Sequence, residues 1–127
     1  MRTVGELARA LGWRPLSQPQ PGEAVTGAYA GDLLSDVAAG ARPGDVWLTV
    51  QLHHNVVRIA VLKDLAAVVI CGDREPAGEL VGLARDSEIN LLRAPLPLFE
   101  AAGRLYRELA GTLGAAEAPE ETEEDMR

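Results

Sequence analysis

The sequence predicts an α/β domain: a single compact unit whose mostly parallel sheet is built from consecutive strand–helix units. A chain of 127 residues is long enough to bury one hydrophobic core and too short for two. Apolar residues make up 47% of the chain and aromatic residues only 4%, so Ala, Leu and Val must form the core. From Val46 onward, apolar strand-like segments alternate with helical patterns across short connections. This order is typical of parallel strands joined by right-handed crossovers.

The amino-terminal segment predicts a helix, a loop and a strand. Thr3 and Glu6 have the spacing of a capping box, which opens the helix VGELARALG, and Gly12 closes that helix. The Pro- and Gln-rich segment SQPQPGEA is predicted as a loop. Residues 25–30 (VTGAYA) are predicted as a short strand.

A second helix and three strand–helix units complete the predicted order. Asp32 or Ser35 is expected to cap the second helix, which Gly40 ends. Its buried face comprises Leu33, Leu34, Val37 and Ala38. VWLTVQL, AAVVICG and INLLRA are strands, and Asn55 caps the helix VVRIAVLKDL between the first two. Pro76 lies near the first turn of the helix PAGELVGLARDSE. The last helix places Leu98, Ala101, Ala102, Leu105 and Leu109 at helical spacing.

The α/β domain is predicted to comprise residues 1–114, followed by a disordered acidic tail at residues 115–127. The tail carries most of the net charge of −7, because residues 117–127 contain six acids and one base. The rest of the chain then has 13 acids and 11 bases, with no basic stripe and few aromatic residues. Binding to nucleic acid is therefore not expected.

Composition disfavours several other classes of protein. Cys71 is the only cysteine, so an internal disulfide and a cysteine-rich metal site are excluded. No apolar run reaches the ~18 residues that a membrane-spanning helix needs. The first segment, MRTVGELARALGW, carries charges where a signal peptide would be apolar. We expect a cytoplasmic protein with no membrane contact, no metal and no cofactor.

The helix VVRIAVLKDL is apolar around most of its circumference, and this predicts contact with another subunit. Its apolar residues are Val56, Val57, Ile59, Ala60, Val61 and Leu62. A helix of this kind needs burial on more than one face. In a domain of this size the second face is expected to meet another chain. We therefore expect a homodimer, with an interface that includes Val56, Val57, Ile59 and Ala60.

Polar residues follow three of the predicted strands, at the edge where open parallel sheets collect ligands. They are Gln51, His53, His54 and Asn55 after the first strand, Gly72, Asp73 and Arg74 after the second, and Arg93 at the end of the third. Asp32 and Ser35 follow the strand VTGAYA and are expected nearby. The first two loops together are the predicted ligand-binding site.

The loop CGDREP has a glycine between a strand and a helix, which is the position of an anion-binding loop. Arg74 adds a bidentate donor for phosphate or carboxylate. Asp73, however, places a negative charge where a phosphate would lie. The alternative is a structural role, in which Arg74 pairs with Asp73, Glu75 or an acid of another chain. Neither of the two common glycine-rich phosphate-binding motifs occurs in the chain.

Catalytic and metal-binding interpretations of His53, His54 and Cys71 have little support in the sequence. Neighbouring residues of an extended chain point to opposite sides, so the two histidines are not expected to face one ion. No His-x-x-x-His or Cys-x-x-Cys spacing is present. Cys71 ends an apolar strand, where a free cysteine behaves as a small hydrophobic residue. A histidine in such a place more often caps a helix or bonds a neighbouring loop.

Three segments together resemble a DRTGG domain: VTGAYAGDLLSDV, GDVWLTVQLHHNVVRIAVLKDLAAVVICG and LARDSEINLL…PLFEAAGRLYREL, within residues 25–109. The chain is similar to the small stand-alone bacterial versions labelled as related to HPr serine kinase and found beside iron-hydrogenase genes. Those labels come from a similarity to the non-catalytic amino-terminal domain of HPr kinase. Other members are modules of phosphotransacetylases and CBS-domain pyrophosphatases, where they assist dimerisation or regulation. The resemblance implies an α/β dimer with no agreed activity and a protein partner in redox or hydrogenase-related metabolism.

The namesake string Asp-Arg-Thr-Gly-Gly is not intact in this chain, since residues 26–28 read Thr-Gly-Ala and residues 73–75 read Asp-Arg-Glu. Kinase activity is not expected, because no loop with Gly-Lys-Ser/Thr is present to hold ATP.

The sequence thus predicts a non-catalytic regulatory or interaction domain, a dimer that senses a small anionic ligand or nucleotide at residues 51–55 and 72–74. The alternative is a small hydrolase or transferase in which His53 or His54 acts as general base. A regulatory domain would show ligand-dependent melting without turnover, whereas an enzyme would lose turnover in His54→Ala.

Overall fold

The computed structural model describes residues 2–117, and in this part of the chain it has five helices and five strands. The elements are α1 (Val4–Leu11), β1 (Arg14–Ser17), β2 (Gly27–Ala30), α2 (Leu34–Gly40), β3 (Asp45–Thr49), α3 (Asn55–Leu62), β4 (Ala67–Cys71), α4 (Gly78–Asp86), β5 (Leu91–Ala94) and α5 (Leu98–Glu117). Each strand–helix unit predicted from Val46 onward is present, and the predicted α/β class is confirmed.

The five strands form one sheet in the order β1-β5-β4-β3-β2. The strands from β2 to β5 are parallel neighbours, and β1 pairs antiparallel with β5 at the edge. The prediction of a mostly parallel sheet is therefore confirmed. β1 has no counterpart among the predicted elements, and part of it falls in the expected loop. Its four residues include Pro15, which is tolerated in a sheet only at an edge, and they show no alternation of apolar and polar residues.

Helices cover both faces of the sheet. α2, α3 and α4 pack on the face that carries Trp47, Val68 and Leu91. α1 and α5 pack on the opposite face, against Leu48 and Leu92. β3 and β4 are buried along their full length, as expected for strands covered on both sides. The three helices that connect β2 to β5 thus share one face, and the connection after β5 leads to α5 on the other face.

The start of α1 is as predicted. The Thr3 hydroxyl accepts a hydrogen bond from the N–H of Glu6 at 3.2 Å, and the Glu6 carboxylate accepts one from the N–H of Thr3 at 2.8 Å. Gly12 ends the helix in the left-handed region, with φ of 71°. Both ends of α1 are therefore fixed by local sequence, because a reciprocal cap and a carboxyl-terminal glycine satisfy backbone groups that the helix leaves free.

The expected caps of α2 and α3 make other contacts, and both predictions were wrong. Asp32 Oδ1 accepts hydrogen bonds from Thr49 Oγ1 at 3.1 Å and from Val50 N at 3.0 Å, so Asp32 joins the end of β2 to the end of β3. Asn55 is already the first residue of α3, and its N–H donates to Nδ1 of His53 at 3.1 Å. Neither helix has a side-chain cap at its amino end.

The apolar circumference of α3 is explained in large part by burial within its own chain. Three of its residues are fully buried against the sheet of the same chain: Val56, Val57 and Ala60. Ile59 is half-buried, while Val61 and Leu62 are 54% and 76% exposed. The residues expected at a dimer interface are thus mostly core residues, since α3 turns them towards the sheet. Leu33, expected on the buried face of α2, is 63% exposed.

The helix α5 extends to Glu117 and includes the first three residues of the predicted acidic tail. Residues 118–127 lie outside the described residues, so the disordered tail stays a prediction. None of the helices between residues 2 and 117 combines the length and the apolar character needed to span a bilayer.

Candidate functional site

At the carboxyl edge of the sheet the connections that leave β4 and β5 diverge, and we call the region between the ends of these two strands the crevice. After β4 the chain turns towards α4 on one face, and after β5 it turns towards α5 on the other. Neighbouring parallel strands whose connections diverge in this way leave a gap at their carboxyl ends, where open α/β sheets bind ligands. The amino end of the antiparallel β1 lies at the same edge, because Arg14 is the register partner of Arg93.

Two arginines meet in this crevice on one carboxylate oxygen. Arg93 Nε donates to Glu75 Oε1 at 3.3 Å, and Arg14 Nη2 donates to the same oxygen at 2.6 Å. The side chain of Arg93 is only 6% exposed, whereas those of Arg14 and Glu75 are 58% and 61% exposed. We call these three residues the arginine cluster. It combines a nearly buried cation with a second cation and an anion that are open to water.

Arg93 also fixes the backbone of the loop that follows β4. Its Nη1 donates to the carbonyl oxygen of Gly72 at 2.6 Å and lies 3.5 Å from that of Ile70. The N–H of Gly72 donates to the carbonyl oxygen of Leu96 at 2.6 Å, which joins the loops after β4 and β5. Gly72 has φ of 86°, a conformation that glycine adopts readily and other residues rarely. Gly72, which we call the floor of the crevice, is therefore fixed both by Arg93 and by Leu96.

The arginine cluster lowers the pKa of Glu75 below its ordinary value of 4.5. Partial burial acts to raise the pKa, but the hydrogen bonds and charges of Arg14 and Arg93 together outweigh that effect. Glu75 is therefore ionised at neutral pH. Two guanidinium groups and one carboxylate leave the cluster with an excess of positive charge.

The structure brings only part of the predicted loop into the crevice. Gly72 lies on its floor, whereas Asp73 and Arg74 are exposed. No ion pair of Asp73 or Arg74 is present among the described residues. The alternative in which Arg74 pairs with Asp73 or Glu75 was therefore wrong, because Glu75 is taken by the arginine cluster.

The other predicted loop, residues 51–55, follows β3 and lies one strand away from the crevice. Gln51 Oε1 accepts the N–H groups of the next two residues at 3.1 and 3.2 Å. The rings of His53 and His54 stack with their centroids 4.2 Å apart. They point to the same side, and not to opposite sides as expected for an extended chain, because His54 has a helical conformation with φ of −61°. His53 supports the start of α3 through its bond to Asn55.

Cys71 has the properties of a buried structural thiol. Burial raises the pKa of Cys71 to about 11, and its Sγ lies 3.7 Å from the carbonyl oxygen of Val69. A thiolate nucleophile is thus not available at neutral pH. Between residues 2 and 117, no three His, Cys, Asp or Glu side chains come together as a group that could hold a metal ion.

Sequence reasoning does not single out Arg14 or Glu75 as site residues. Arg93 carries a detectable signal, since it is the one charge in the otherwise apolar or neutral string INLLRA, and a charge in a buried strand needs a partner. Arg14 carries no such signal, because it lies in β1, whose sequence does not have the pattern of a strand. Glu75 does not stand out from the other acids of exposed loops, because only the register of β1 against β5 brings Arg14 and Arg93 together beside it.

Comparison with known proteins shows a likeness in fold. No model of a known protein family matches the sequence, and no curated protein matches it. The fold is similar to that of the CBS and DRTGG domains of the regulatory region of Clostridium perfringens pyrophosphatase, whose crystal structure is a complex with the activator diadenosine tetraphosphate. The TM-score is 0.62 and the sequence identity 13%, over 79% of this chain and 44% of that chain.

The two proteins share a fold. This chain spans less than half the length of the pyrophosphatase structure. The likeness agrees with the fold implied by the resemblance to DRTGG domains, since it is to a regulatory region that contains one.

Proposed function

We propose that this chain is a non-catalytic regulatory domain that binds a small anionic ligand in the crevice between β4 and β5. The observation that carries the proposal is the convergence of Arg14 and Arg93 at the edge where open α/β sheets bind ligands. Arginine suits phosphate and carboxylate groups because its donors match two oxygens at once. The carbonyl oxygen of Gly72 accepts a hydrogen bond from Arg93, which fixes the loop beside the guanidinium group.

The chemistry of the same edge favours binding over catalysis. The Cys71 thiol is protonated at neutral pH. Nδ1 of His53 accepts a hydrogen bond from the backbone of its own loop, so it supports local structure. A catalytic base has to lie within hydrogen-bond distance of the nucleophile that it activates. Among the described residues, no hydroxyl or thiol group is hydrogen-bonded to His53 or His54.

Nucleotides are the ligand class that we propose first. The structurally similar regulatory region of the C. perfringens pyrophosphatase is complexed with a dinucleotide activator, diadenosine tetraphosphate. The phosphate groups of a nucleotide present the charge and the oxygen geometry that two arginines recognise. In this proposal the phosphate end of the ligand contacts the arginine cluster.

We also propose a homodimer, with an interface on the surface formed by β2 and α5. β2 is an edge strand with no second neighbour among the described residues. Beside it lies a cavity of about 280 Å³ lined almost entirely by apolar side chains, including Ala30, Ala102 and Tyr106. Tyr106 is 75% exposed. A second copy of β2 would continue the sheet and cover this groove by a two-fold contact, which removes an exposed edge.

Ligand binding is tested by a thermal-shift screen of nucleotides, acyl phosphates and organic acids, followed by calorimetry on the ligand that shifts the melting temperature most. A ligand that binds the folded state raises the melting temperature. We expect Arg14→Ala to weaken binding about tenfold or more, since a hydrogen bond to a charged group contributes roughly 1.5–3 kcal/mol. Arg107→Ala is the matched control, because Arg107 is exposed on α5 across the sheet from the arginine cluster. A screen in which no anion changes the melting temperature would refute ligand sensing.

A further inference from the structure

We propose that Glu75 is a built-in occupant of the anion site, which a phosphate or carboxylate group of the ligand displaces. This inference rests on the proposed function, because it concerns the same crevice. Without ligand, the Glu75 carboxylate holds Arg14 and Arg93 together. With ligand, the anion takes both arginines and releases the segment of residues 73–77 that leads into α4.

The first support is that the site needs an anion in every state. Arg14 and Arg93 are register partners on antiparallel strands, so both side chains lie on the same face of the sheet. Like charges in directly opposed positions destabilise a strand pair. Arg93 is also nearly buried, and a buried cation without a counter-charge is costly. The arginine pair is therefore stable only while a carboxylate, a phosphate or a similar group lies between the two side chains.

The second support is that Glu75 fills this role incompletely. One oxygen, Oε1, accepts the bonds from both arginines. Oε2 has no hydrogen-bond partner in the part of the chain that the structure describes, and neither has Nη2 of Arg93. A phosphate group offers three oxygens, which allows two arginines to bind different acceptors at once. The site thus has donors that a phosphate would use and that Glu75 leaves free.

The third support is the contrast in exposure within the arginine cluster. Arg93 is fixed by burial and by its bond to Gly72, whereas Glu75 is 61% exposed. The bond between Arg14 and Glu75 joins two exposed side chains, which water solvates well when they separate. Glu75 can therefore enter water at little cost once another anion has taken its place beside Arg93, which stays fixed.

The displacement has a defined structural consequence. The bond from Arg14 to Glu75 joins β1 to the loop before α4. Gly72 keeps its own contacts to Arg93 and Leu96 when Glu75 leaves, so the floor of the crevice does not move. The response is confined to residues 73–77, which lead into α4. This surface changes with ligand, and it is the surface through which a regulatory domain would signal.

The test compares phosphate binding by wild type, Glu75→Gln and Glu79→Gln at low ionic strength, with inorganic phosphate and ATP as separate probes. Glu79→Gln removes the same charge from an exposed acid in the first turn of α4, so it controls for general electrostatics. We expect Glu75→Gln to bind at least fivefold more tightly than wild type and Glu79→Gln to bind within twofold of it. If Glu75→Gln binds only ATP more tightly than wild type does, the ligand is a phosphate ester. If it binds ATP and inorganic phosphate more tightly to the same degree, the ligand is the free anion.

Glu75→Asp is a second variant that keeps the charge but shortens the side chain by one methylene group. We expect it to bind phosphate more tightly than wild type as well, since its carboxylate reaches the arginines less well. NMR relaxation adds an independent measurement: in wild type, saturating phosphate or ATP should lower the backbone order parameters of Asp73, Arg74, Glu75 and Ala77. Circular dichroism verifies that each variant is folded.

The outcomes separate the two proposals. If wild type binds an anion and Arg14→Ala weakens it, but neither Glu75 variant binds more tightly than Glu79→Gln, the displacement is refuted and the binding site stands. If no protein in the series binds any anion, including Glu75→Gln, both proposals are refuted.

Discussion

Asn90 shows how a single buried side chain fixes a loop that is distant in sequence. Its Oδ1 accepts a hydrogen bond from the N–H of Gln20 at 3.0 Å, and its Nδ2 donates to the carbonyl oxygens of Gln20 at 2.8 Å and Ala66 at 2.9 Å. Asn90 is 2% exposed. The amide thus connects the loop between β1 and β2 to the residue before β4, and it satisfies backbone groups that would otherwise be left without a partner.

Asn90→Ala should lower the free energy of unfolding by about 2–3 kcal/mol, because removing the side chain leaves buried backbone groups unpaired. Asn90→Asp should also destabilise, since a carboxylate does not donate to the two carbonyl oxygens. Asn55→Ala is the control and should change stability by less than about 0.5 kcal/mol, as expected for a partly exposed position away from such a network. Urea denaturation of the three variants measures these differences; an Asn90→Ala variant as stable as the control would contradict the role of the amide.

Single residues of the candidate site differ in how far the sequence predicts them. Arg93 and Gly72 are placed correctly at the carboxyl edge, because the apolar pattern of their strands locates both strand ends. Glu75 and Arg14 are not predicted as partners of Arg93. Their meeting depends on a contact between segments that are far apart in the chain, and no local spacing encodes such a contact.

At the scale of single elements, α1 is the helix whose stability depends most clearly on its own sequence. Its capping box is complete, and the hydrogen bonds to the backbone and hydroxyl of Thr3 lower the pKa of Glu6 below 4.5. The ionised form of Glu6 is therefore favoured by folding. Its contribution to stability is present above about pH 4.5 and is lost as the pH falls through the lower pKa of the folded state.

Thr3→Ala should destabilise the protein by about 1 kcal/mol at pH 7, the usual effect of removing an amino-terminal cap. The difference from wild type should become smaller at a pH well below 4.5, because protonation of Glu6 then weakens its bond to the Thr3 hydroxyl, which Thr3→Ala removes at every pH. Ser35→Ala is the control, since α2 has no side-chain cap, and it should leave stability nearly unchanged. Denaturation curves for the three proteins at both pH values measure the effect, and a cost of Thr3→Ala that does not depend on pH would contradict the coupling to Glu6.

The remaining elements show where local patterns stop being sufficient. Strands β3 and β4 and helices α4 and α5 follow from apolar runs and helical spacing. The caps of α2 and α3 do not, because polar side chains at a strand end have a choice of partners. Asp32 bonds to the end of β3, and His53 takes the first N–H of α3. Only the arrangement of neighbouring strands decides between these partners and a cap.

At the scale of the whole molecule, the proposed dimer gives a prediction that distinguishes two apolar surfaces. Tyr106 belongs to the surface of β2 and α5, and Leu62 is the most exposed apolar residue of α3. Tyr106→Glu should convert the dimer to a monomer, since it places a charge in an apolar interface, whereas Leu62→Glu should remain dimeric. Sedimentation velocity measures both. Dissociation by Leu62→Glu alone would move the interface to α3, and a monomeric wild type at high micromolar concentration would refute the dimer.

The order of strands in the sheet is a property of the whole molecule that the sequence predicts only in part. Consecutive strand–helix units imply the parallel run from β2 to β5, because each crossover is short. They do not imply that β1 crosses to the far edge and pairs with β5. That placement is fixed by two tertiary contacts: α1 packs against α5, and the loop after β1 is hydrogen-bonded to Asn90. The same placement brings Arg14 to Arg93 and so completes the arginine cluster.

Because β1 and β5 are far apart in the chain, we expect the crevice to be one of the last parts of the domain to form. Among the strands of the described residues, Arg14 belongs to the first and Arg93 to the last. Contacts between such distant segments have a high loop-closure entropy cost and form late in folding. A partly made or locally opened chain therefore lacks the paired arginines altogether. Ligand binding at this crevice would thus take place only in chains whose sheet is complete, so the bound ligand would also act as a check on folding.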